Sequence, residues 1–289
     1  MTASKLIARF NRLFRSPEPS PPEYAIAYEP DLIPPLALMR QEGIDVLEEW
    51  FRWGEEWSML LRVYGGLTCD SHVMEIGCGL GRIAFPLRYI LSARGSYAGF
   101  EIGREKVAFL QTRFQPAHPN FVFSWADVRN GYYNPRGTMA ASSYQFPYPD
   151  GAFDVVFAAS VFTHLLPEGG AQYFRESARV LRPGGRCVFS FFLLDNYRPG
   201  HPRPPGFTRD AFSFDHAYDG YGDEFAFGVV SNPEEMTAYR LSLIERCAAD
   251  AGLALAHAPL PGLWCGTHSW WVGVQDIVVL TKSAARRPE

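Results

Sequence analysis

The sequence predicts an α/β fold in which helices cover both faces of a mostly parallel sheet. Short apolar runs of β type alternate with helix-type segments from residue 72 onward, which is typical of such sheets. A glycine-rich turn follows the first of these runs, at residues 77–81. The chain of 289 residues, 47% hydrophobic and 20% charged, is large enough for one such domain with additions to it.

Seven strands and five helices are predicted along the chain. The strands are expected at residues 72–76, 97–101, 121–126, 153–159, 186–194, 253–257 and 275–281. The helices are expected at residues 45–67, 81–92, 104–114, 171–181 and 233–251. Pro183 and Gly184 are expected to end the fourth helix and to turn the chain into the fifth strand.

Two segments do not follow this alternation. Residues 1–40 combine a basic amphipathic stretch at 5–15 with a proline-rich arm, and the stretch has the spacing of a helix that rests on an anionic membrane surface or docks on the domain. Residues 41–289 then form one domain. Within it, residues 195–232 are rich in proline, glycine and aromatic side chains without a regular period, which predicts a lid or substrate-binding insertion.

The composition argues against several classes of protein. The formal net charge of −4 and a pI near 6.0 give no overall positive field for nucleic acid. The five cysteines have neither metal-ligand nor C-x-x-C spacing, which favours the reducing cytoplasm. No apolar run is long enough to span a bilayer, so residues 5–15 offer the one expected membrane contact, a peripheral one.

The strongest local signal is the glycine-rich turn after the first strand. Glu75 lies at the end of the strand, and three glycines alternate through the turn, where they let a ligand approach the backbone closely. Glu101 ends the second strand, where an acidic side chain can accept hydrogen bonds from both hydroxyls of a ribose. These features predict a site for a cofactor that contains a nucleoside.

Two cofactors are compatible with this turn. Residues 79–84 satisfy the G-x-G-x-x-A pattern of nicotinamide dinucleotide sites. A carboxylate at Glu75, however, would repel a pyrophosphate and would attract a cation. S-adenosylmethionine carries a sulfonium and an ammonium group and no phosphate, so charge favours this methyl donor.

Four motifs, taken in order, resemble those of the class I S-adenosylmethionine-dependent methyltransferases over residues 70–195. They are VMEIGCGLGR at 73–82, GFEI at 99–102, FPYPDGAFDVV at 146–156 and RVLRPGG at 179–185. The resemblance implies a Rossmann-like, seven-stranded, mostly parallel sheet with a reversed last strand. The residues expected to bind the donor or its product, S-adenosylhomocysteine, are Glu75, Gly77, Cys78, Gly79, Gly81, Arg82, Glu101, Ile102, Asp127, Val128, Ala159 and Ser160.

The adenine contact departs from the common family pattern. An insertion separates Asp127 from the motif at 146–156, so either Asp127 or Ser142 is expected to contact the adenine amino group. Asp127 is favoured because it follows the third strand directly. The segments NPRG at 134–137, FFLLDN at 191–196, WCG at 264–266 and QDIV at 275–278 resemble a bacterial subgroup that acts on small molecules, including sugar hydroxyls.

Two residues are candidates for catalysis. His164 lies beyond the carboxyl end of the fourth strand, where open α/β sheets bind ligands, and is the first candidate base; its alternative role is to orient its own loop. Asp195 ends the fifth strand at the same edge, and its alternative role is to cap the turn at Asn196. The residues expected near the acceptor are Tyr133, His216, Trp264 and His268.

The expected function is O-methylation of a hydroxyl on a small molecule or glycan. No Asn/Asp-Pro-Pro-Tyr/Phe signature of N-methyltransferases follows the fourth strand, where the sequence is SVF at 160–162. The alternatives are an N- or C-methyltransferase, a domain that binds the donor without catalysis, and a nicotinamide oxidoreductase. A divalent metal is not favoured, because the acidic residues of the insertion lack the spacing of a calcium loop; they are Asp215, Asp219, Asp223 and Glu224.

Overall fold

The computed structural model describes residues 29–201 and 212–284. The chain divides into two compact units, Met1–Ile33 and Pro34–Glu289. The described part of the first unit contains a 3₁₀ turn, Pro30–Leu32. The basic stretch at 5–15 lies outside the described residues, so its membrane contact and the domain division at residue 40 stay predictions.

The second unit is built around a seven-stranded sheet. Its strands are β1 (His72–Ile76), β2 (Ser96–Glu101), β3 (Phe121–Trp125), β4 (Phe153–Ala158), β5 (Leu181–Phe191), β6 (Leu253–Leu255) and β7 (Asp276–Lys282). Their order in the sheet is β3-β2-β1-β4-β5-β7-β6. The first five strands are parallel, and β7 is antiparallel to both of its neighbours. The predicted α/β fold with a reversed last strand is confirmed.

Helices pack on both faces of this sheet. They are α1 (Leu47–Val63), α2 (Ala84–Ile90), α3 (Arg104–Phe109), α4 (Pro167–Val180) and α5 (Leu241–Asp250). Successive strand residues point to opposite faces. In β4, Val156 therefore joins the core beneath α4 and α5, while Phe157 packs against Trp57 of α1 with ring centroids 5.9 Å apart.

Shorter elements connect these strands and helices. Helical turns occur at Leu36–Met39, Arg40–Glu42, Gln115–Ala117, Ala141–Ser143, Phe162–His164, Pro233–Glu235 and Leu263–Cys265, and a π-helical turn, Leu110–Phe114, continues α3. The two-residue strands Val128–Arg129 and Met139–Ala140 pair in parallel within the insertion after β3. No helix among the described residues is both long and apolar enough to cross a bilayer.

Two helix predictions are wrong in their bounds. The helix expected at 233–251 begins only at Leu241, because Thr237–Tyr239 forms a strand whose last residue also exchanges backbone hydrogen bonds with Phe192 and Leu194. Helix α4 begins earlier than expected, with Pro167 in its first turn, where proline needs no hydrogen-bond partner. Because β5 begins at Leu181, Pro183 and Gly184 lie within that strand and do not end the helix.

The insertion after β5 has a sheet of its own. His216–Ala217, Phe225–Phe227 and Thr237–Tyr239 form a three-stranded antiparallel sheet, so the inserted structure extends past residue 232. Phe192 and Trp264 belong to the separate hydrophobic cluster that supports it. Residues 202–211 lie outside the description, and closure as a lid stays a prediction.

Candidate functional site

The glycine-rich turn adopts the conformation that requires glycine. Gly77, Gly79 and Gly81 have φ angles of 68°, 51° and 77°, in the left-handed region that other L-residues avoid. A Cβ atom added to Gly77 would come within 2.7 Å of the side chain of Val161. The turn after β1 therefore meets the segment after β4, which contains the expected donor residues Ala159 and Ser160.

Ser160 carries the clearest local strain at this edge. Its φ angle of 58° is the one left-handed value of a residue other than glycine in the described parts of the chain. The Ser160 amide donates to Ser190 Oγ at 2.8 Å, and its hydroxyl donates to Gln275 Oε1 at 3.0 Å. Neighbouring strands thus hold the residue in this conformation beside the glycine turn.

Glu101 is fixed at the carboxyl end of β2. Its carboxylate accepts hydrogen bonds from the amides of Gly79 at 3.0 Å and Gly103 at 2.7 Å, and the residue is only 6% exposed. The Cys78 amide donates a hydrogen bond to the Phe100 carbonyl oxygen at 3.0 Å, which ties the glycine turn to β2. The turn and the predicted ribose-binding carboxylate therefore form one connected unit.

Glu75 is buried directly under the glycine turn. It is 2% exposed and accepts a hydrogen bond from the Tyr97 hydroxyl. Burial raises the pKa of Glu75 to about 8, although the Tyr97 hydrogen bond and the charge of Arg82 oppose the shift. The carboxyl group of Glu75 is therefore mostly protonated at neutral pH. Arg82 itself lies over the Trp53 ring, 5.1 Å from the centroid.

The two adenine candidates lie in different surroundings. Asp127 is half-buried just past β3, and its Oδ2 accepts a hydrogen bond from the Thr138 hydroxyl at 2.7 Å; Val128, which follows, is buried. Ile102, which follows the end of β2, is half-buried, and its carbonyl oxygen accepts a hydrogen bond from Trp125 Nε1 at 3.1 Å. Ser142 is exposed in the turn that precedes the motif at 146–156. The position of Asp127 at the sheet edge keeps it the preferred candidate.

His164 lies among aromatic side chains of the insertion after β3. Its ring stacks on Tyr132 with an interplanar angle of 4° and meets the edge of Tyr133 at a centroid distance of 5.0 Å. Its Nδ1 lies 3.2 Å from the Glu234 carbonyl oxygen, and its Nε2 lies 3.5 Å from the Tyr133 hydroxyl. Because a carbonyl can only accept, Nδ1 carries the proton and Nε2 presents a lone pair. Burial lowers the pKa of His164 to about 4, so the ring is neutral at pH 7.

Asn130 and Glu234 hold this arrangement together and were missed by sequence reasoning. The Asn130 amide donates to the His164 carbonyl oxygen at 2.8 Å and to Glu234 Oε1 at 3.3 Å, while its oxygen accepts from the amides of Tyr132 and Tyr133. Glu234 Oε2 accepts from the Gly131 amide at 2.6 Å. The Asn-Gly dipeptide at 130–131 is a turn signal, but no local pattern indicates its distant partners.

Asp195 has a structural partner. Its Oδ2 accepts a hydrogen bond of 2.7 Å from the amide of Leu241, the first residue of α5. A carboxylate in this position stabilises the start of a helix. The structure therefore favours a role for Asp195 in the fold over the catalytic role. The side chain caps the start of α5, whereas the sequence suggested that it would cap the turn at Asn196.

Trp264 does not line an open acceptor site. It is 1% exposed and packs against Phe192 and Phe214 with centroid distances of 5.0 and 5.7 Å. Its Nε1 donates to Asp276 Oδ2 at 2.6 Å. Because the indole fills the core under the insertion, this burial favours a structural role over the expected contact with the acceptor.

Two other acceptor candidates, His216 and His268, lie in surroundings that differ from those of His164. His216 packs on Phe227 of the three-stranded sheet, with ring centroids 5.5 Å apart, and His268 is exposed. In the acidic patch, Glu224 pairs with Arg246 at 2.6 Å and Asp223 pairs with Arg240 at 3.1 Å. No group of three or more His, Cys, Asp or Glu side chains suited to a metal occurs within residues 29–201 and 212–284.

Comparisons with known proteins agree with this geometry. Residues 74–189, which run from β1 into β5, match the family described as "Methyltransferase domain". This match supports the resemblance of the region to the class I S-adenosylmethionine-dependent methyltransferases. The glycine turn and Glu101, which carried the resemblance in the sequence, both lie in the matched region.

Similar proteins differ in what their names say they act on. The 27-O-demethylrifamycin SV methyltransferase of Amycolatopsis mediterranei is 31% identical over 147 residues, which cover 50% of this chain and 45% of that protein. The arsenite methyltransferase of Aquipseudomonas alcaligenes is 29% identical over 140 residues, which cover 46% and 38%. This chain thus spans less than half the length of these curated relatives.

The fold is shared more widely than any one reaction. The crystal structure of the cyclase SpnF matches 89% of this chain and 94% of its own, with a TM-score of 0.54 and 15% sequence identity. At that identity the likeness concerns the fold alone. The assignment of chemistry therefore depends on the residues of the site.

Proposed function

We propose that this chain transfers a methyl group from S-adenosylmethionine to a hydroxyl oxygen of a small molecule or glycan, with His164 as the general base. The observation that carries the proposal is the neutral His164 ring, whose Nε2 lone pair faces the Tyr133 hydroxyl beyond the carboxyl end of β4. An oxygen acceptor is also named for the relative from Amycolatopsis mediterranei.

The residues present fit the proposed donor. Glu75 and Glu101 supply acidic side chains next to a glycine turn, where the absence of side chains lets a ligand approach the backbone. Glu101 would accept hydrogen bonds from the ribose hydroxyls, and Asp127 would accept one from the adenine amino group. When bound, S-adenosylmethionine supplies an electrophilic methyl group on a sulfonium, and the matched domain is of the family that uses it.

His164 is suited to one specific task in such a reaction. A hydroxyl oxygen becomes strongly acidic as the new carbon–oxygen bond forms, so even a weak base can accept its proton. The low pKa of His164 keeps Nε2 unprotonated at neutral pH, and the bond from Nδ1 to Glu234 fixes the ring. Tyr132 and Tyr133, which are 47% and 44% exposed, would form the aromatic wall against which the acceptor lies.

The first experiment is calorimetric titration with S-adenosylhomocysteine and, separately, with NADH, for the wild type and Glu101→Ala. We expect micromolar binding of S-adenosylhomocysteine that is lost in the variant, and no binding of NADH. A screen of hydroxylated acceptors should then show a rate that falls about 100-fold or more in His164→Gln. His257→Gln, at an exposed position outside the proposed site, is the matched control. Binding of NADH alone, or an unchanged rate in His164→Gln, would contradict the proposal.

A further inference from the structure

Glu42, in the turn Arg40–Glu42 that precedes α1, lies against the glycine turn. A Cβ atom added to Gly79 would come within 2.5 Å of Glu42 Oε1, so the missing glycine side chain leaves the space that this carboxylate occupies. The Glu42 side chain is 13% exposed, and Oε1 lies 3.0 Å from Lys106 Nζ, whose side chain is 12% exposed. None of the family motifs found in the sequence includes Glu42.

Three acidic side chains therefore lie close to one glycine turn. The carboxylates of Glu42 and Glu101 both lie next to Gly79, since Glu42 Oε1 would meet a Cβ atom there and Glu101 accepts a hydrogen bond from the Gly79 amide. Lys106 pairs with Glu42 and also interacts with Glu101. Carboxylates held together away from water repel one another, and a cation placed among them relieves that repulsion.

We propose that Glu42 is a further residue of the donor site, where it accepts hydrogen bonds from the ammonium group at the amino-acid end of the donor. The inference rests on the proposed function, because it assumes that the glycine turn binds S-adenosylmethionine. The ammonium and the sulfonium are the cations of this ligand, and only the ammonium has hydrogen atoms to donate. A carboxylate in contact with Gly79 is suited to it, and Lys106 holds Glu42 in place.

The test compares two ligands that differ in that end. S-adenosylhomocysteine has the ammonium group, whereas 5′-methylthioadenosine has the same nucleoside and sulfur without the amino acid. In calorimetric titrations, Glu42→Gln should weaken binding of S-adenosylhomocysteine about tenfold or more, which corresponds to about 1.4 kcal/mol. Binding of 5′-methylthioadenosine should stay unchanged. Glu48→Gln, an exposed position near the start of α1, should bind both ligands as the wild type does.

Each other outcome overturns the assignment. Unchanged binding of S-adenosylhomocysteine by Glu42→Gln would mean that Glu42 makes no contact with the ligand, and tighter binding would mean that it competes for the site. An equal loss for both ligands would mean that the substitution disturbs the whole turn. If the wild type binds neither ligand, the donor assignment itself fails. If the wild type binds S-adenosylhomocysteine and Glu42→Gln binds it equally well, only the role of Glu42 fails.

Discussion

At the scale of single residues, Glu75 shows how burial changes the charge that a motif suggests. In the sequence it is an acidic residue that repels phosphate. In the structure its pKa is raised to about 8 by burial, so much of that charge is absent at neutral pH. The preference for a cationic ligand remains, because such a ligand stabilises the ionised form.

This coupling predicts that ligand binding releases a proton. A cation near Glu75 lowers the pKa of the carboxyl below 8, so affinity for S-adenosylmethionine should rise as the pH increases from 6.5 to 8. Calorimetry in buffers of different ionisation enthalpy measures the protons released. Glu75→Gln should remove the buffer dependence, and Glu105→Gln, at an exposed position, should keep it. A wild-type enthalpy that is the same in all buffers would refute the coupling.

His164 predicts a loss of stability in acid. Its pKa is lowered to about 4 by burial, below the ordinary value of 6.5, so the unfolded chain binds more protons between these values. The free energy of unfolding should therefore fall as the pH decreases from 6.5, by about 2 kcal/mol at pH 5. Urea unfolding at pH 7 and pH 5 measures this difference, which should be smaller in His164→Gln. His268→Gln should retain the wild-type difference.

At the scale of elements, the insertion after β3 and the turn Pro233–Glu235 meet at His164. Asn130 is the residue that contacts both segments and the His164 backbone. The turn supplies the carbonyl oxygen that fixes the His164 proton. The position of the candidate base therefore depends on two insertions that are far apart in the sequence.

Asn130→Asp should change the proton position on His164. The new carboxylate oxygen would face the His164 carbonyl oxygen and the Glu234 carboxylate, and both would repel it. The hydrogen bond from His164 Nδ1 to the Glu234 backbone carbonyl oxygen should therefore weaken. Long-range proton–nitrogen NMR spectra of the imidazole should show the Nδ1–H form in the wild type and a mixture of forms in the variant. Asn134→Asp is the control, because Asn134 donates to the Val128 carbonyl oxygen. The same spectral change in both variants would argue against a specific role for Asn130.

The contact between Asp195 and α5 predicts a structural effect without a catalytic one. Asp195→Ala removes the acceptor at the start of the helix and should lower the free energy of unfolding by up to about 1 kcal/mol. Denaturant unfolding measures that change. Turnover at saturating substrate should stay within about twofold of the wild type, since a loss of 100-fold or more would be expected of a general base. A loss of that size would restore Asp195 as a catalytic candidate.

At the scale of the whole molecule, Asp276 connects the central sheet to the segment after β5 and to the loop before β7. The residue is fully buried at the start of β7 and accepts hydrogen bonds from the amides of Gly262 and Leu193, from Trp264 Nε1 and from the Asn196 side chain. Burial raises the pKa of its carboxyl, and these hydrogen bonds oppose the shift. Asp276 thus joins β7, the segment after β5 and the loop before β7.

Substitutions of tryptophan test this connection. Trp264→Phe keeps an aromatic ring in the core but removes the N–H group that Asp276 accepts, so it should lower the free energy of unfolding by about 1–3 kcal/mol. Trp270→Phe is the matched control, because Trp270 is 55% exposed, and it should change stability by less than about 0.5 kcal/mol. Equal stability of the two variants in urea unfolding would contradict the role of the indole N–H.

The sequence by itself determined the order of most strands and helices, the parallel sheet with its glycine turn, and the resemblance to a methyltransferase family. These features depend on local periodicity and on the backbone freedom of Gly77, Gly79 and Gly81, which neighbouring residues reveal. The prediction from sequence was wrong at Thr237–Tyr239. This segment has a helix-like pattern, but its backbone forms hydrogen bonds with strands that are distant in the sequence.

Only the tertiary structure decided which side chains surround the site and which charges they carry. Glu42 meets Gly79, and Glu234 meets His164, across separations in the sequence that no local pattern reports. Asp195 and Trp264 occupy sequence positions typical of site residues, but their hydrogen-bond partners favour roles in the fold. The pKa values of Glu75 and His164 depend on burial, and burial is a property of the packed molecule.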